Sequence, residues 1–550
     1  MRLHVPEVLL GVGLALHSVL LTYFASRLWF RGDDWDFLMS RGTVPGASNG
    51  WFPPHADHWQ TGVVAIYRLL FPFFGMRYYL PYGLVVIVGH VVVCALVYLV
   101  LVRLGASRWV ALVTTWLLAF LGAGAETFLW DTPMGNLAVL SLGLGSVLVV
   151  SRADLGRRET RNVWIMLSLG LTFYGAGITM VVFVALYALF RHGLWTAVRL
   201  AAVPAAVFLV WYVAIGHTGS EGVAGSFWDY LEIPKYVWKS LTYALETAAG
   251  IPGSGPVLLL VLGVTPWVAR GAPDRLRQLA LAGMTTAVLQ LALAFSTPNR
   301  LLVGETWVKS GRYAYLTIVF LVPAIALFLG LVLPALRQYK VAAAGFAALL
   351  LAVYTVNALD LEHQYYVGQR PMAEYWPARM SAIVEAVDDG QKVLTVDPVN
   401  WLDKGMDPNL VTKAQIRDTL PSVAPTVKAR LDAEINYFVA VGPKTLGLFN
   451  PTRMTSAFGF PPDMPQAEGC HTVTSTFERP ALELESSEGV EIGVESDSTE
   501  ITTQIVRDGV KSVVRTWSVK PGEVHIATSA KDATLVVGFN RPGDYLICKH

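Results

Sequence analysis

Apolar runs of about twenty residues, repeated along two thirds of the chain, constrain its fold more than any other feature. A run of that length crosses a bilayer core as a helix, since only a helix satisfies all its backbone groups internally in hydrocarbon. About eleven such runs are predicted, near 7–29, 80–102, 109–125, 134–151, 163–176, 178–191, 197–215, 255–270, 277–296, 313–335 and 341–358. Composition agrees: 54% of the 550 residues are hydrophobic and 15% are charged, too apolar a mixture for a soluble enzyme. The expected fold class is an α-helical polytopic membrane protein.

Loop charges predict the topology. Cytoplasmic loops are enriched in Lys and Arg near helix ends. With the N-terminus cytoplasmic, the inner set is Arg2; Arg103 and Arg108; Arg152, Arg157, Arg158 and Arg161; Arg191 and Arg199; Arg270, Arg275 and Arg277; Arg337 and Lys340. The opposite loops carry Asp33, Asp34, Asp36, Asp57, Glu126, Asp131, Asp229, Glu232 and Glu305. The segment around Gly175 and Gly177 then reads as a tight outer turn. The first run carries no small-residue cleavage site and is expected to be retained as a helix. A net charge of +1 excludes the basic surface excess of a nucleic-acid binder.

Four extracytoplasmic segments hold the polar side chains of interest. The first, about Phe30 to Tyr79, contains Asp33-Asp34-Trp35-Asp36 and then His55-Ala56-Asp57-His58-Trp59. Beyond Pro54, Trp59, Val63, Ile66, Leu69 and Leu70 recur at helical spacing, which predicts an amphipathic helix lying in the interface. The second holds Glu126, Trp130 and Asp131. The third holds Phe227-Trp228-Asp229 and a predicted interfacial helix over Tyr236–Leu245. The fourth reads Thr297-Pro298-Asn299-Arg300 and then Lys309-Ser310-Gly311-Arg312-Tyr313.

Each cluster has a chemical and a structural interpretation. Asp33 and Asp34, at a water–membrane boundary, are candidates for a general base toward a hydroxyl; the structural alternative is a solvated helix end. Arg312, with Tyr313, Lys309 and Arg300, offers donors suited to a lipid phosphate, whereas a snorkelling anchor is the ordinary explanation for a lone cation there. His55, Asp57 and His58 are candidate substrate-binding residues or metal ligands, although no fixed metal spacing is met. Glu126 and Asp131 either place further carboxylates over the site or cap helix ends. Asp34 and Asp36, with His58, are the metal candidates, and a divalent cation, magnesium or manganese, is left open.

After about Asp360 the apolar runs stop. The expected domains are a transmembrane unit over 1–358, an extracytoplasmic mixed α/β segment over 359–469 and a β-rich domain over 470–550. Helices are predicted at Met372–Val387, Asn409–Thr419 and Thr426–Ile435, with strands at Lys392–Val396 and Tyr437–Val441. Later short runs, Val490–Val494, Ile501–Val506, Val510–Val519 and Ala533–Phe539, alternate with Asp508-Gly509, Pro521-Gly522 and Pro542-Gly543 turns, which predicts an antiparallel sandwich. Cys94 sits in an apolar run as packing. Cys470 and Cys548 bracket the β-rich part, either as a disulfide or as two thiols.

Asp33-Asp34-Trp35 after the first run, His55-Ala56-Asp57-His58, Glu126 to Asp131, and Gly311-Arg312-Tyr313 together resemble the GT-C class of membrane glycosyltransferases, over about 360 of the 550 residues. That resemblance implies a GT-C-like helical fold and inverting transfer of a sugar from a polyprenyl-phosphate donor to a glycan or lipid acceptor of the cell envelope, on the extracytoplasmic face. It implies that an aspartate of Asp33-Asp34 deprotonates the acceptor, and that Arg312 with Lys309 stabilises the departing phosphate. The terminal β-domain would bind carbohydrate. The histidine-rich second motif departs from better-known members and leaves the substrate open. A transporter or flippase of a lipid-linked glycan is the alternative; transporters place polar sites near the midplane, whereas here ionisable residues crowd one rim.

Overall fold

Pro6 stands in the first turn of α1 (Val5–Ala25), where its missing N–H costs no hydrogen bond. The computed structural model describes residues 4–41, 50–130, 132–219, 227–297, 300–301, 304–335, 340–394, 406–442, 470–475, 481–486, 490–496, 500–519, 522–530, 532–539 and 543–549. The chain divides into two units. The first comprises Met1–Leu28, Gly50–Leu70 and Tyr79–Arg370, and the second Trp29–Asn49, Phe71–Tyr78 and Pro371–His550.

Helices in chain order are α1, α2 (Thr61–Phe74), α3 (Leu80–Arg103), α4 (Arg108–Ala119), α5 (Ala125–Leu129), α6 (Met134–Val150), α7 (Arg157–Leu171), α8 (Ala176–His192) and α9 (Leu194–Ala214). They continue as α10 (Ile233–Ala249), α11 (Gly255–Val268), α12 (Asp274–Phe295), the single turn α13 (Gly304–Trp307), α14 (Gly311–Ala335) and α15 (Lys340–Asp388). Among the described residues six helices are long and apolar enough to cross a membrane: α1, α3, α9, α12, α14 and α15. A seventh crossing results if α4 and the segment Gly122–Leu129, bent by 48° against it, form one span. This is a multi-pass membrane protein.

The expected count was about eleven. A helix does occupy every predicted run, but α6 and α8 have 17 residues, α7 has 15 and α11 has 14. At 1.5 Å per residue the longest of these rises about 26 Å, short of a core of about 30 Å. The sequence runs looked longer because apolar turn residues, such as those around Phe173, extend them.

Polar contacts fasten the helices of the first unit. His17 on α1 meets Glu362 on α15 at 2.9 Å, both buried, and Phe24 stacks on Tyr366 one turn further along. Trp116 donates to Thr355 at 2.9 Å, and Tyr354 donates to the Leu117 carbonyl. His90 Nε2 faces the Ala119 carbonyl at 3.1 Å and must donate; its Nδ1 therefore accepts from Tyr315, 2.8 Å away. The predicted interfacial helices form as α2 and α10. On α2 the side chains buried in the protein are Val63, Val64, Tyr67 and Phe71, while Leu69 of the expected apolar face is 66% exposed, as on a helix that lies in the interface. The helix starts at Thr61, so Trp59 lies outside it and does not set its phase. Trp228 and Trp238 are exposed at and before α10, as headgroup anchors would be.

In the second unit, the predicted helix at Met372–Val387 is the end of α15, and Asn409–Thr419 resolves into two short turns, α16 (Pro408–Val411) and α17 (Ala414–Arg417). The helix α18 (Val427–Tyr437) is capped by Thr426, whose hydroxyl oxygen accepts from Ala429 N. Of Lys392–Val396, residues 395–396 lie outside the described residues, and Leu394 N donates to Tyr437 O.

Ten strands follow: β1 (Val439–Gly442), β2 (Cys470–Ser475), β3 (Ala481–Ser486), β4 (Val490–Ser496), β5 (Glu500–Arg507), β6 (Val510–Lys511), β7 (Arg515–Ser518), β8 (Gly522–Thr528), β9 (Ala533–Phe539) and β10 (Gly543–Lys549). One antiparallel sheet runs β1-β8-β4-β10-β2; the other runs β3-β9-β5-β6, with β7 also on β5. Ile501, Ile505, Leu535 and Val537 from one sheet and Val524 and Ile526 from the other meet in a common core with Leu431 and Ile435 of α18. Alternation along β5 and β9 puts these side chains on one face. α18 and β1, which precede residue 470, belong to this core. Trp517 is covered by Arg515, 3.6 Å from its ring, and donates to Thr503.

Candidate functional site

In the first unit a cavity of about 350 Å³ opens between α8, α9 and α12. Its walls are apolar over much of their area, with Leu171, Ile178, Phe208, Leu293 and Leu316. Its polar residues include Asp57, His58, Tyr174, Arg300 and Tyr313. Leu293 lines the cavity and is also 43% exposed, so the rim reaches the apolar outer surface of the helices.

The loop bearing Asp57 and His58 is fixed from both sides. His55 and His58 exchange both backbone hydrogen bonds at 3.0 Å, closing a turn whose Ala56 adopts a positive φ of 51°. Trp59 stacks on Trp211 of α9 with ring planes 2° apart, and Trp211 donates to Phe52 O. Gly175 lies against the His58 ring; a Cβ there would sit 2.5 Å from Nδ1, so only glycine admits the imidazole.

Arg300 is the cation of the cavity. Its Nη2 donates to His58 Nε2 at 3.0 Å, its Nη1 donates to Thr297 Oγ1 at 3.3 Å, and Asp57 Oδ2 lies 3.6 Å from Nη1. A guanidinium cannot accept, so His58 Nε2 carries a lone pair and the ring is the neutral Nδ1–H form. Burial, and then the Arg300 charge, hold the His58 pKa down at about 3. Five N–H donors on Arg300 exceed these three contacts and leave capacity for an anion. Burial works against the Arg300 charge, but Tyr313, Tyr174 and Asp57 outweigh it and hold the guanidinium ionised.

Arg312 forms a second cationic position. Its Nε lies 2.8 Å from Glu126 Oε1, and its guanidinium stands 5.2 Å from the Trp130 ring and 5.7 Å from Trp307. Glu126 also accepts from Ser310 Oγ at 3.2 Å and from Arg312 N at 3.3 Å, which satisfies one of the orphan backbone donors at the start of α14 and sets its carboxylate on the positive helix end. Gly311 allows this: a Cβ there would run into the Ala123 carbonyl and the Glu126 side chain. Arg312 acts electrostatically on both His58 and Arg300, so the two guanidinium groups share one field.

Asp33 and Asp34 belong to the second unit. Asp34 is fully buried and its Oδ2 accepts from Arg31 N at 2.8 Å within a turn closed by Asp34 N to Arg31 O and Asp36 N to Asp33 O. Asp33 is only half-buried. Asp36 is paired with the buried Arg41 at 2.8 Å. Trp35, fully buried, packs on Trp29 and Trp376.

Of the residues expected to bind substrate, the first unit brings Asp57, His58 and Tyr313 onto one cavity and pairs Arg312 with Glu126 beside it. His55 contributes its backbone to the turn, Lys309 is exposed, and Asp131 lies outside the described residues. Arg300, considered in the sequence chiefly as an anchor, is central; Tyr174 and Gln290 carried no signal there, since each is a lone polar residue in an apolar run. Two of the metal candidates have protein partners. Asp36 is committed to Arg41 and His58 Nε2 to Arg300, and no group of three metal-ligating side chains occurs among the described residues.

No protein-family model and no curated protein matches the sequence. Among solved structures the chain is similar to ArnT from Cupriavidus metallidurans bound to undecaprenyl phosphate, at 13% identity and a TM-score of 0.33, over 78% of this chain and 92% of that one. It is likewise similar to the apo state of that protein, at 14% identity and a TM-score of 0.31, over 79% and 92%.

Proposed function

We propose that the protein is a membrane glycosyltransferase that takes its sugar from a polyprenyl-phosphate donor and passes it, with inversion, to a glycan or lipid acceptor at the extracytoplasmic face. The observation that carries this reading is the cavity itself. An ionised arginine, backed by a second, stands at one end of a cavity whose apolar rim meets the helix surface, and that is the shape of an amphipathic phosphate. The phosphate would take the spare donors of Arg300, with Arg312 adding positive potential as charge grows on the departing oxygen. The base is inferred from the sequence resemblance alone: it is the Asp33-Asp34 pair, in the second unit, whose role the transfer assay below tests. Asp33 is the better candidate, because Asp34 is buried and holds Arg31 N.

The test is transfer from radiolabelled polyprenyl-phosphate sugars to membrane glycan acceptors by the full chain in lipid nanodiscs. Loss of transfer in Asp33→Asn and in Arg300→Ala, each at equal folded yield, is the expected result. Transfer undiminished in both variants would remove these residues from the chemistry, and translocation of lipid-linked glycan in vesicles would then be measured instead.

A further inference from the structure

The charges at the cavity cancel in pairs. Arg312 lies 2.8 Å from Glu126 and Arg300 lies 3.6 Å from Asp57, while His58 beside them is neutral. The two carboxylates are placed differently. Glu126 is taken up by three donors, Arg312 Nε, Arg312 N and Ser310 Oγ. Asp57 lines the cavity with its side chain 31% exposed, at a distance from Arg300 too long for a hydrogen bond. Its charge therefore remains accessible to whatever enters.

An anion held by Arg300 meets that charge. A phosphate oxygen accepting from a guanidinium stands about 2.7–2.9 Å from one of its nitrogens. Asp57 is 3.6 Å from the same group, so phosphate and carboxylate lie within about 10 Å, the screening length at 0.1 M salt. Their repulsion scales with the charge on the phosphate. A phosphodiester carries one negative charge, whereas a phosphomonoester carries about 1.5 to 2 at pH 7. Asp57 thus opposes the monoester up to about twice as strongly. Sugar transfer converts the first into the second: the bond from anomeric carbon to phosphate oxygen breaks, and that oxygen keeps the electron pair. The acceptor oxygen bonds the carbon and gives its proton to the base.

Resting on the glycosyl-phosphate reading above, we propose that Asp57 sets the charge this site accepts, admitting a lipid phosphodiester and expelling the lipid phosphomonoester that transfer leaves behind. Arg300 supplies the attraction, and Asp57 limits it to one negative charge. The carboxylate is a specificity residue that acts through its charge, and it builds product release into the donor site.

The experiment is calorimetric titration of the full chain in phosphatidylcholine nanodiscs at pH 8 with three probes: citronellyl methyl phosphate, a diester; citronellyl phosphate, the monoester; and water-soluble dimethyl phosphate. The wild type is expected to bind the citronellyl diester about threefold or more tighter than the monoester. Asp57→Asn removes the charge at nearly constant size. It should tighten the diester about threefold and the monoester by roughly the square of that, about tenfold, narrowing the preference. Asp57→Ala, which offers no amide donor to the phosphate, should do the same. A wild type that binds the monoester as tightly as the diester, or a preference unchanged in both variants, overturns the role of Asp57 and leaves the phosphate site intact. Binding of neither citronellyl probe, or binding indifferent to Arg300→Ala, overturns the glycosyl-phosphate reading and this proposal with it. Dimethyl phosphate should bind more weakly than the citronellyl diester; equal affinity would overturn the lipid-linked substrate class on which both rest.

Discussion

Arg300 donates to His58 across 3.0 Å, and that single contact determines what the histidine can do. With Nε2 taken, the ring is neither a cation nor an available metal ligand through that atom. It is a neutral support that orients a guanidinium.

A pH dependence follows from the depressed pKa of His58, about 3 against an ordinary 6.5. Above pH 6.5 the imidazole is neutral in both folded and unfolded chains and adds no slope. Between pH 6.5 and about 3 the unfolded chain takes up a proton that the folded chain refuses, so stability falls with falling pH, by up to about 1.4 kcal/mol per pH unit. His58→Gln keeps an acceptor for Arg300 and cannot take the proton. Its melting temperature should be less sensitive to acid than that of the wild type, measured between pH 7 and 4; parallel curves for the two proteins would count against the neutral assignment.

The two adjacent aspartates should separate cleanly on mutation. Asp34→Ala removes the acceptor of Arg31 N from a fully buried position and should cost about 1–3 kcal/mol in stability. Asp33→Asn changes a half-buried carboxylate without changing its size and should cost less stability than Asp34→Ala while abolishing transfer. Chemical denaturation of both variants beside the transfer assay checks the pair. A destabilised Asp33→Asn would mean that its loss of activity says nothing about a base.

Glu126 holds three donors at the head of α14. Glu126→Ala leaves Arg312 and the helix start without this partner and should destabilise the protein by about 1–3 kcal/mol. Glu126→Gln retains acceptance at Ser310 and Arg312 N and should recover part of that loss. Thermal unfolding in detergent ranks the two; equal melting temperatures for Ala and Gln would rule out the capping role.

Much of this architecture was legible one residue at a time. Runs of apolar residues located every long helix, because hydropathy acts locally and a helix satisfies its own backbone. Alternation located β4, β5 and β9 for the same reason. Which side of α2 packs against the protein was not legible, because that depends on where the helix starts and on what packs against it. Helix ends were less legible, because hydropathy does not register where a helix stops within an apolar stretch.

The sequence by itself determined that this is a multi-pass helical membrane protein with a β-rich C-terminal part, and which residue types stand at its helix ends. Only the tertiary structure decided which of them meet. His58, Gly175, Gln290, Arg300 and Tyr313 come from five stretches whose spacing carries no common period, and it was helix packing that put them around one cavity and left Lys309 exposed. The reason is physical: burial pattern is written in local periodicity, whereas a binding site is made by contacts between distant segments, whose partners no single segment specifies.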